Sequence, residues 1–182
     1  MSDNGREPLY MVGPSHIHGR GVFAARRIRR GTRIVEYKGE RISNREADRR
    51  YDDTTMKRHH TFLFNLDKKT VVDGAISAGG GDASYINHSC DPNCEAIIRA
   101  KRIYIHAKRT IEPGEELAYD YQYERTGKND DKLEKFYFCK CGALNCRGSI
   151  MKPPTKKLRR PSGSRSSRAT SRSKRRPVMT RS

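Results

Sequence analysis

The sequence predicts a mostly β domain of several small sheets with few short helices, followed by a basic arm that lacks a core. Three observations carry this reading: short alternating apolar runs recur between turn residues, a single helix start is well marked, and charge is segregated at one end. The 182 residues suffice for one hydrophobic core. Of the net charge of +18, the segment 152–182 holds +12 with no Asp or Glu, which leaves +6 for residues 1–151. Its apolar residues are Leu158, Ala169, Val178 and Met179, too few to offset the entropy of ordering it. A disordered tail is therefore expected over 152–182.

The elements follow in order. Gly19-Arg20-Gly21-Val22-Phe23 opens a strand, and Thr32–Tyr37 forms the next before a Lys38-Gly39 turn. Ser43-Asn44-Arg45-Glu46 has the capping-box pattern and leads into a helix over Ala47–Tyr51. Thr61–Leu66 and Thr70–Val72 read as a strand pair joined across Asp67-Lys68-Lys69. Gly79-Gly80-Gly81 loosens the backbone, and Ala96–Ile98 with Arg102–His106 reads as a hairpin around Ala100-Lys101. Ile28-x-x-Gly31-x-x-Ile34 is echoed by Ile111-x-x-Gly114-x-x-Leu117. Both read as a turn feeding a strand, and Pro113-Gly114 suits a type II turn.

The start of the chain has no apolar signal core, and no 18-residue apolar stretch occurs, so neither Sec export nor a membrane partner is expected. Five cysteines are an odd number, and three crowd into Cys139-x-Cys141-x4-Cys146. In a chain that is not exported this favours metal over disulfides, and three close thiolates suit a tetrahedral zinc. The fourth ligand must come from elsewhere, with Cys90 and Cys94 as the remaining thiols; the bland alternative is three unliganded cysteines. Asn87-His88-Ser89-Cys90-Asp91-Pro92-Asn93-Cys94 is dense in hydrogen-bonding and ligating groups, though a polar loop would also explain it. In Glu116-Leu117-Ala118-Tyr119-Asp120-Tyr121, followed by Tyr123, alternation puts the three tyrosines on one face. That face is either a half-buried aromatic edge or a channel of rings and hydroxyls able to orient a long amine.

Taken together, His18-Gly19-Arg20-Gly21-Val22-Phe23, Asn87-His88-Ser89-Cys90-x-Pro92-Asn93, Glu116-Leu117-x-Tyr119-Asp120-Tyr121 and the cysteine trio stand in a telling order. Over Pro8 to Met151 that order and spacing resemble SET-domain protein-lysine N-methyltransferases with a post-SET zinc segment. Glu36-Tyr37-x-Gly39-Glu40 adds a looser agreement. The resemblance implies a SET fold of small curved sheets with a C-terminal pseudoknot, a SET domain over 8–125 and a post-SET segment over 133–151. It implies S-adenosylmethionine as methyl donor, held by His18, Gly19, Arg20, Phe62, Asn87, His88 and Lys140. Tyr121 would be the active-site tyrosine, Tyr119 the residue governing methyl number and Tyr37 a wall of the lysine channel. Cys90, Cys139, Cys141 and Cys146 would bind zinc, leaving Cys94 free. A phenol at Tyr119 favours a monomethyl product.

Two positions depart from the family pattern. Phe62 stands where many relatives carry Tyr, and Ser84 where an Arg is usual three residues before Asn87. No cysteine precedes the Gly-x-Gly turn, so a cysteine-rich pre-SET module is not expected, and the short form with Arg147-Gly148-Ser149-Ile150-Met151 resembles compact bacterial members. The expected substrate is a histone or a basic DNA-binding protein. The tail reads as a solvated arm that does little, as a non-specific nucleic-acid contact or as a bipartite nuclear import signal, and its histone-like composition also suggests self-methylation at Lys174. The chain is expected in the cytoplasm or on nuclear chromatin, or, if bacterial, as an effector delivered into a host nucleus. The contrasting reading is a catalytically silent SET-like module that binds DNA or chromatin through the tail. Ser43–His60 is the segment expected to shape substrate choice, and His59-His60 is given no role.

Overall fold

The computed structural model describes residues 7–51, 62–125 and 130–154. These residues form β1 (Tyr10–Pro14), β2 (Arg20–Ala24), β3 (Arg33–Tyr37), β4 (Glu40–Ser43), α1 (Asn44–Arg50), β5 (Leu63–Asn65) and β6 (Thr70–Asp73). Two 3₁₀ turns follow, Ile76–Ala78 and Asp82–Tyr85. After them come β7 (Asn87–His88), β8 (Cys94–Arg99), β9 (Arg102–Ala107), β10 (Glu116–Tyr119) and α2 (Asp130–Phe136). The strands make three small sheets ordered β1-β2-β10-β7, β3-β9-β8 and β4-β6-β5. This is the mostly β SET architecture the sequence suggests.

Strand alternation builds the core. In β9, Ile103, Ile105 and Ala107 are at most 1% exposed while Arg102 faces solvent. The same core takes Val22, Ile28, Ile86, Ile111 and Leu117, and burying each such side chain contributes about 1.5–3 kcal/mol. The internal echo has a structural counterpart. Ile28 and Ile111 pair as an antiparallel bridge, each N–H donating to the other's carbonyl at 2.9 Å. Gly31 (φ 80°) and Gly114 (φ 83°) hold the left-handed third position of turns closed by Thr32 N–H to Arg29 O (3.1 Å) and Glu115 N–H to Glu112 O (3.2 Å).

The helix start behaves as half a capping box. Ser43 Oγ accepts from Glu46 N–H at 3.2 Å, but the Glu46 carboxylate turns to Arg49 and Arg50 instead of back to the cap. The strand pair is β5 and β6, with Asp67 Oδ1 accepting from the N–H groups of Lys69 and Thr70 at 2.9 Å in the turn. Its forecast first residue, Thr61, lies outside the described residues, as do His59-His60 and most of the segment after α1. The hairpin turn Ala100-Lys101 has φ of 48° and 57°, the type I′ geometry usually given to Asn-Gly.

Four elements went unforeseen. β1 and β4 lack a strong periodic signature, β7 is two residues in a segment dense in polar groups, and α2 forms in a charged stretch. A separate small core joins α2 to the chain beyond β10: Tyr137, Ile150 and Met151 pack with Leu133, Phe136, Tyr121 and Tyr123. β10 is inserted late, antiparallel to β2 and parallel to β7, with Ala118 opposite Asn87 and Tyr119 opposite His88. A parallel pair needs a long crossover, here the β8–β9 hairpin and the turn at Gly114. At the C-terminal end, Lys152 N–H still donates to Tyr123 O at 2.9 Å. The readings for the rest of the tail, including Lys174, lie outside the described residues. Among the described residues no helix is long and apolar enough to cross a membrane.

Candidate active site

An open cleft of about 1420 Å³ runs between the β10 end of the first sheet and the C-terminal segment. Every residue singled out for catalysis or cofactor binding lines it: Tyr37, Tyr119, Tyr121, His18, Gly19, Arg20, Phe62, Asn87, His88 and Lys140.

The tyrosines come together by two routes. β10 ends at Tyr119, and Tyr121 lies beyond it on irregular chain, before Gln122 in a left-handed conformation (φ 51°). Tyr121 N–H donates to His88 Nδ1 at 3.1 Å, which fixes that chain where strand pairing stops. The Tyr119 and Tyr121 rings stand 4.9 Å apart, and Tyr121 and Tyr123 6.3 Å, so the expected shared face survives the end of the strand. Tyr37 reaches the group through Phe64, 5.5 Å from Tyr37 and 6.0 Å from Tyr119.

Hydroxyl positions are set by backbone carbonyls. Tyr37 donates to Phe62 O at 2.7 Å and Tyr121 to Ile86 O at 2.8 Å. With each O–H committed, the oxygen lone pairs remain as acceptors. Burial, then the neighbouring phenols, pushes Tyr37, Tyr119 and Tyr121 above the ordinary tyrosine value, so all three stay protonated near neutrality. Phe62 therefore contributes its backbone carbonyl to this site.

The Gly19 loop is fastened from behind. Asn87 Nδ2 donates to Arg20 O (3.0 Å) and Glu116 Oε1 (2.7 Å), and Ser15 Oγ donates to the same carboxylate at 2.8 Å. Gly19 itself has φ 47° and open space around a would-be Cβ. Gly21 differs: a Cβ there would lie 2.4 Å from Glu116 Oε1 and 2.9 Å from Ser15 Cβ. Its small size makes room for the carboxylate that anchors the loop. Arg20 stacks over the Tyr85 ring at 4.2 Å. Ser84 Oγ donates to Gly81 O at 2.8 Å, closing its own 3₁₀ turn.

Burial lowers the His88 pKa to about 4, with Asp120 opposing. Because Nδ1 accepts from Tyr121, the neutral ring directs Nε2 toward Cys90 Sγ at 3.4 Å. Cys90 meets the C-terminal trio: the Sγ atoms of Cys90, Cys139, Cys141 and Cys146 all lie within 4.8 Å of one another. Cys90 Sγ is 3.8 Å from that of Cys139 and 4.0 Å from that of Cys146. Sulfurs at 2.3 Å from a tetrahedral metal stand about 3.8 Å apart, so this donor set fits zinc. Backbone N–H groups point at the sulfurs: Cys141 to Cys139 (3.3 Å), Arg147 to Cys90 (3.3 Å) and Gly148 to Cys146 (3.4 Å). Burial raises Cys141, but N–H donors of Cys90 and Ala143 with the neighbouring thiols outweigh it and bring the group down to about 6. Cys94 is buried outside the cluster, and burial pushes its thiol up to about 12.

Several contributors escaped the sequence reading. Arg147 grips Asp120 with both guanidinium nitrogens (2.7 and 3.0 Å), tying the cysteine lobe to the end of β10. Ser15 and Glu116 anchor the Gly19 loop, and Phe136 and Tyr137 of the α2 region close one wall of the cleft. No spacing rule would have paired residues 101 positions apart, as Ser15 and Glu116 are.

An aromatic cleft with protonated phenols, a backbone loop anchored beneath it and a four-thiol clamp at its rim define a known structural class. Residues 19–122 match the SET domain family, and the chain belongs to it. It is 42% identical over 151 residues to Histone-lysine N-methyltransferase trr of Drosophila melanogaster, covering 81% of this chain and 6% of that protein. It is 42% identical over 143 residues to the H3 lysine-4 specific Histone-lysine N-methyltransferase of Emericella nidulans, covering 75% and 11%. The Saccharomyces cerevisiae enzyme of the same name is 40% identical over 153 residues, covering 81% and 14%. The chain thus spans a small fraction of the length of these relatives.

Proposed function

We propose that this chain transfers a methyl group from S-adenosylmethionine to the ε-amine of a lysine in a basic protein. The observation that carries the reading is the meeting of Tyr37, Tyr119 and Tyr121 with the Gly19 loop and Asn87-His88 in one cleft. When bound, S-adenosylmethionine supplies an electrophilic methyl on a sulfonium. His18, Gly19 and Arg20 would hold it through backbone, with Asn87 and His88 behind and Phe62 and Lys140 at the sides.

A lysine near pKa 10.4 is mostly protonated at neutral pH, and reaching the nucleophilic amine costs about 4 kcal/mol. Burial between Tyr37, Tyr119 and Tyr121 disfavours the ammonium and lowers that cost. The phenols cannot act as bases, because burial keeps them protonated. Their role is to orient: with O–H groups held by Phe62 O and Ile86 O, the oxygens accept from the amine and align it. The proton leaves through water. The Cys90, Cys139, Cys141 and Cys146 set would hold one structural zinc that pins the C-terminal wall of the cleft.

The relatives named for histone H3 lysine 4 make a histone tail the first substrate to test. A basic DNA-binding protein is the second, with chromatin as the place of action and non-specific DNA contact through residues 152–182. Tyr119 sets the product: its phenol can hold a water where a second methyl needs room, so monomethyl-lysine dominates. Two measurements test this. Calorimetry with S-adenosylmethionine should give binding heat, and its absence would favour a silent DNA-binding module. Mass spectrometry of a histone panel and a bacterial lysate should map monomethyl sites. Tyr119→Phe should shift products toward dimethyl, and an unchanged distribution would sink the product assignment.

A further inference from the structure

The β3-β9-β8 sheet ends at β8, a six-residue strand, Cys94-Glu95-Ala96-Ile97-Ile98-Arg99, with one side paired to β9. Ile97 and Ile98 are 39% and 47% exposed, so this strand presents an apolar side chain on each of its faces. The backbone polarity of this edge follows from the turn. A two-residue hairpin makes Arg99 and Arg102 a hydrogen-bonded pair, and Lys108 N–H donates to Asn93 O at 2.8 Å. Odd-numbered residues of β8 thus spend their backbone groups on β9. Ala96 and Ile98 direct theirs toward the other edge, which pairs with no strand among the described residues.

We propose that β8 pairs antiparallel with β8 of a second copy of this chain, centred on Ile97. The sequence is self-complementary about that residue. In this register Ala96 faces Ile98 of the second copy as a hydrogen-bonded pair, twice by symmetry, giving four main-chain bonds. Ile97 meets Ile97 at the two-fold axis. Glu95 faces Arg99 of the second copy, also twice. Both Glu95 and Arg99 are exposed and lie on the same face of the strand as Ile97. Shifting the pairing by two residues keeps the backbone pattern but puts Glu95 or Arg99 opposite isoleucine. Charge complementarity therefore selects one register of an isologous contact. The result is a continuous six-stranded sheet, with edge exposure removed at its centre. The contact is small beside the roughly 1,600 Å² of a standard interface, so the dimer is weak, with a dissociation constant of about 10 μM to 1 mM.

Sedimentation equilibrium of the full chain across this range tests the proposal, beside amide exchange at low and high protein concentration. Dimer should form, and the N–H groups of Ala96 and Ile98 should gain protection with concentration while that of Ile97, held by β9, does not change. Glu95→Arg and Arg99→Glu each set like charges opposite one another twice and should weaken dimerisation roughly tenfold or more. The double variant E95R/R99E restores opposite pairing and should return to wild-type affinity. Both positions are exposed, so the variants should keep the wild-type melting temperature. A monomer at all concentrations overturns the proposal. So does a dimer indifferent to the single reversals or not rescued by the double one, which would place the contact on another surface.

Discussion

Alanine at Gly74 perturbs the candidate lysine channel from behind. A Cβ built there lies 2.5 Å from Tyr37 Oη and 2.6 Å from its Cε1 and Cζ. Carbon contacts settle near 3.5–4.0 Å, so the ring must retreat by about 1 Å. Tyr37 is 5% exposed and packed against Phe64, leaving it little free space to enter. Overpacking of this kind costs about 1–3 kcal/mol, and losing the Tyr37–Phe62 hydrogen bond about 1 kcal/mol more. The melting temperature of a domain this size should fall by roughly 5–15 °C. A 1 Å misplacement of a positioning wall should lower kcat/KM for a lysine peptide by about 100-fold. The assay is methyl transfer at saturating S-adenosylmethionine, beside differential scanning fluorimetry. Gly31→Ala is the control: Gly31 also resists a side chain (φ 80°) but has open space around it and lies away from the cleft. It should cost about 1 kcal/mol of stability and leave turnover unchanged. A Gly74→Ala protein with wild-type melting and wild-type kcat/KM would refute both the packing argument and the place of Tyr37 in the channel.

Elemental analysis should find one zinc per chain, lost in Cys90→Ser and retained in Cys94→Ser; chelation should lower the melting temperature and open residues 133–151 to proteolysis. Replacing Ala100-Lys101 by Asn-Gly relieves two left-handed non-glycine residues and should stabilise the protein by about 1 kcal/mol or more, read by urea denaturation. Hydrogen bonds from Arg49, then Arg50, lower the Glu46 pKa to about 2. Its folded value lies below the unfolded one, so its contribution to α1 is present above about pH 4.5 and lost as pH falls toward 2. A carboxylate NMR titration should show this, and the midpoint should rise in Arg49→Gln.

The chemistry of this protein was legible in its sequence wherever it is local. Turn glycines, the Ser43 cap, the alternation of β9 and the tyrosine register all follow from the periodicity and backbone preferences of neighbouring residues. The cysteine trio pointed toward a metal because thiols at this spacing can share one ion, and their sulfurs do come together. Other features depend on residues far apart in the chain, and only the tertiary structure decided them. Cys90 joins thiols 49 and 56 positions away. Ser15, Asn87 and Glu116 converge beneath the Gly19 loop because β10 enters between β2 and β7. The same insertion seats the Glu116 carboxylate against Gly21 and sets Asp120 against Arg147. Loop closure and burial fix such contacts together, and no short-range pattern encodes which distant partners share that burial.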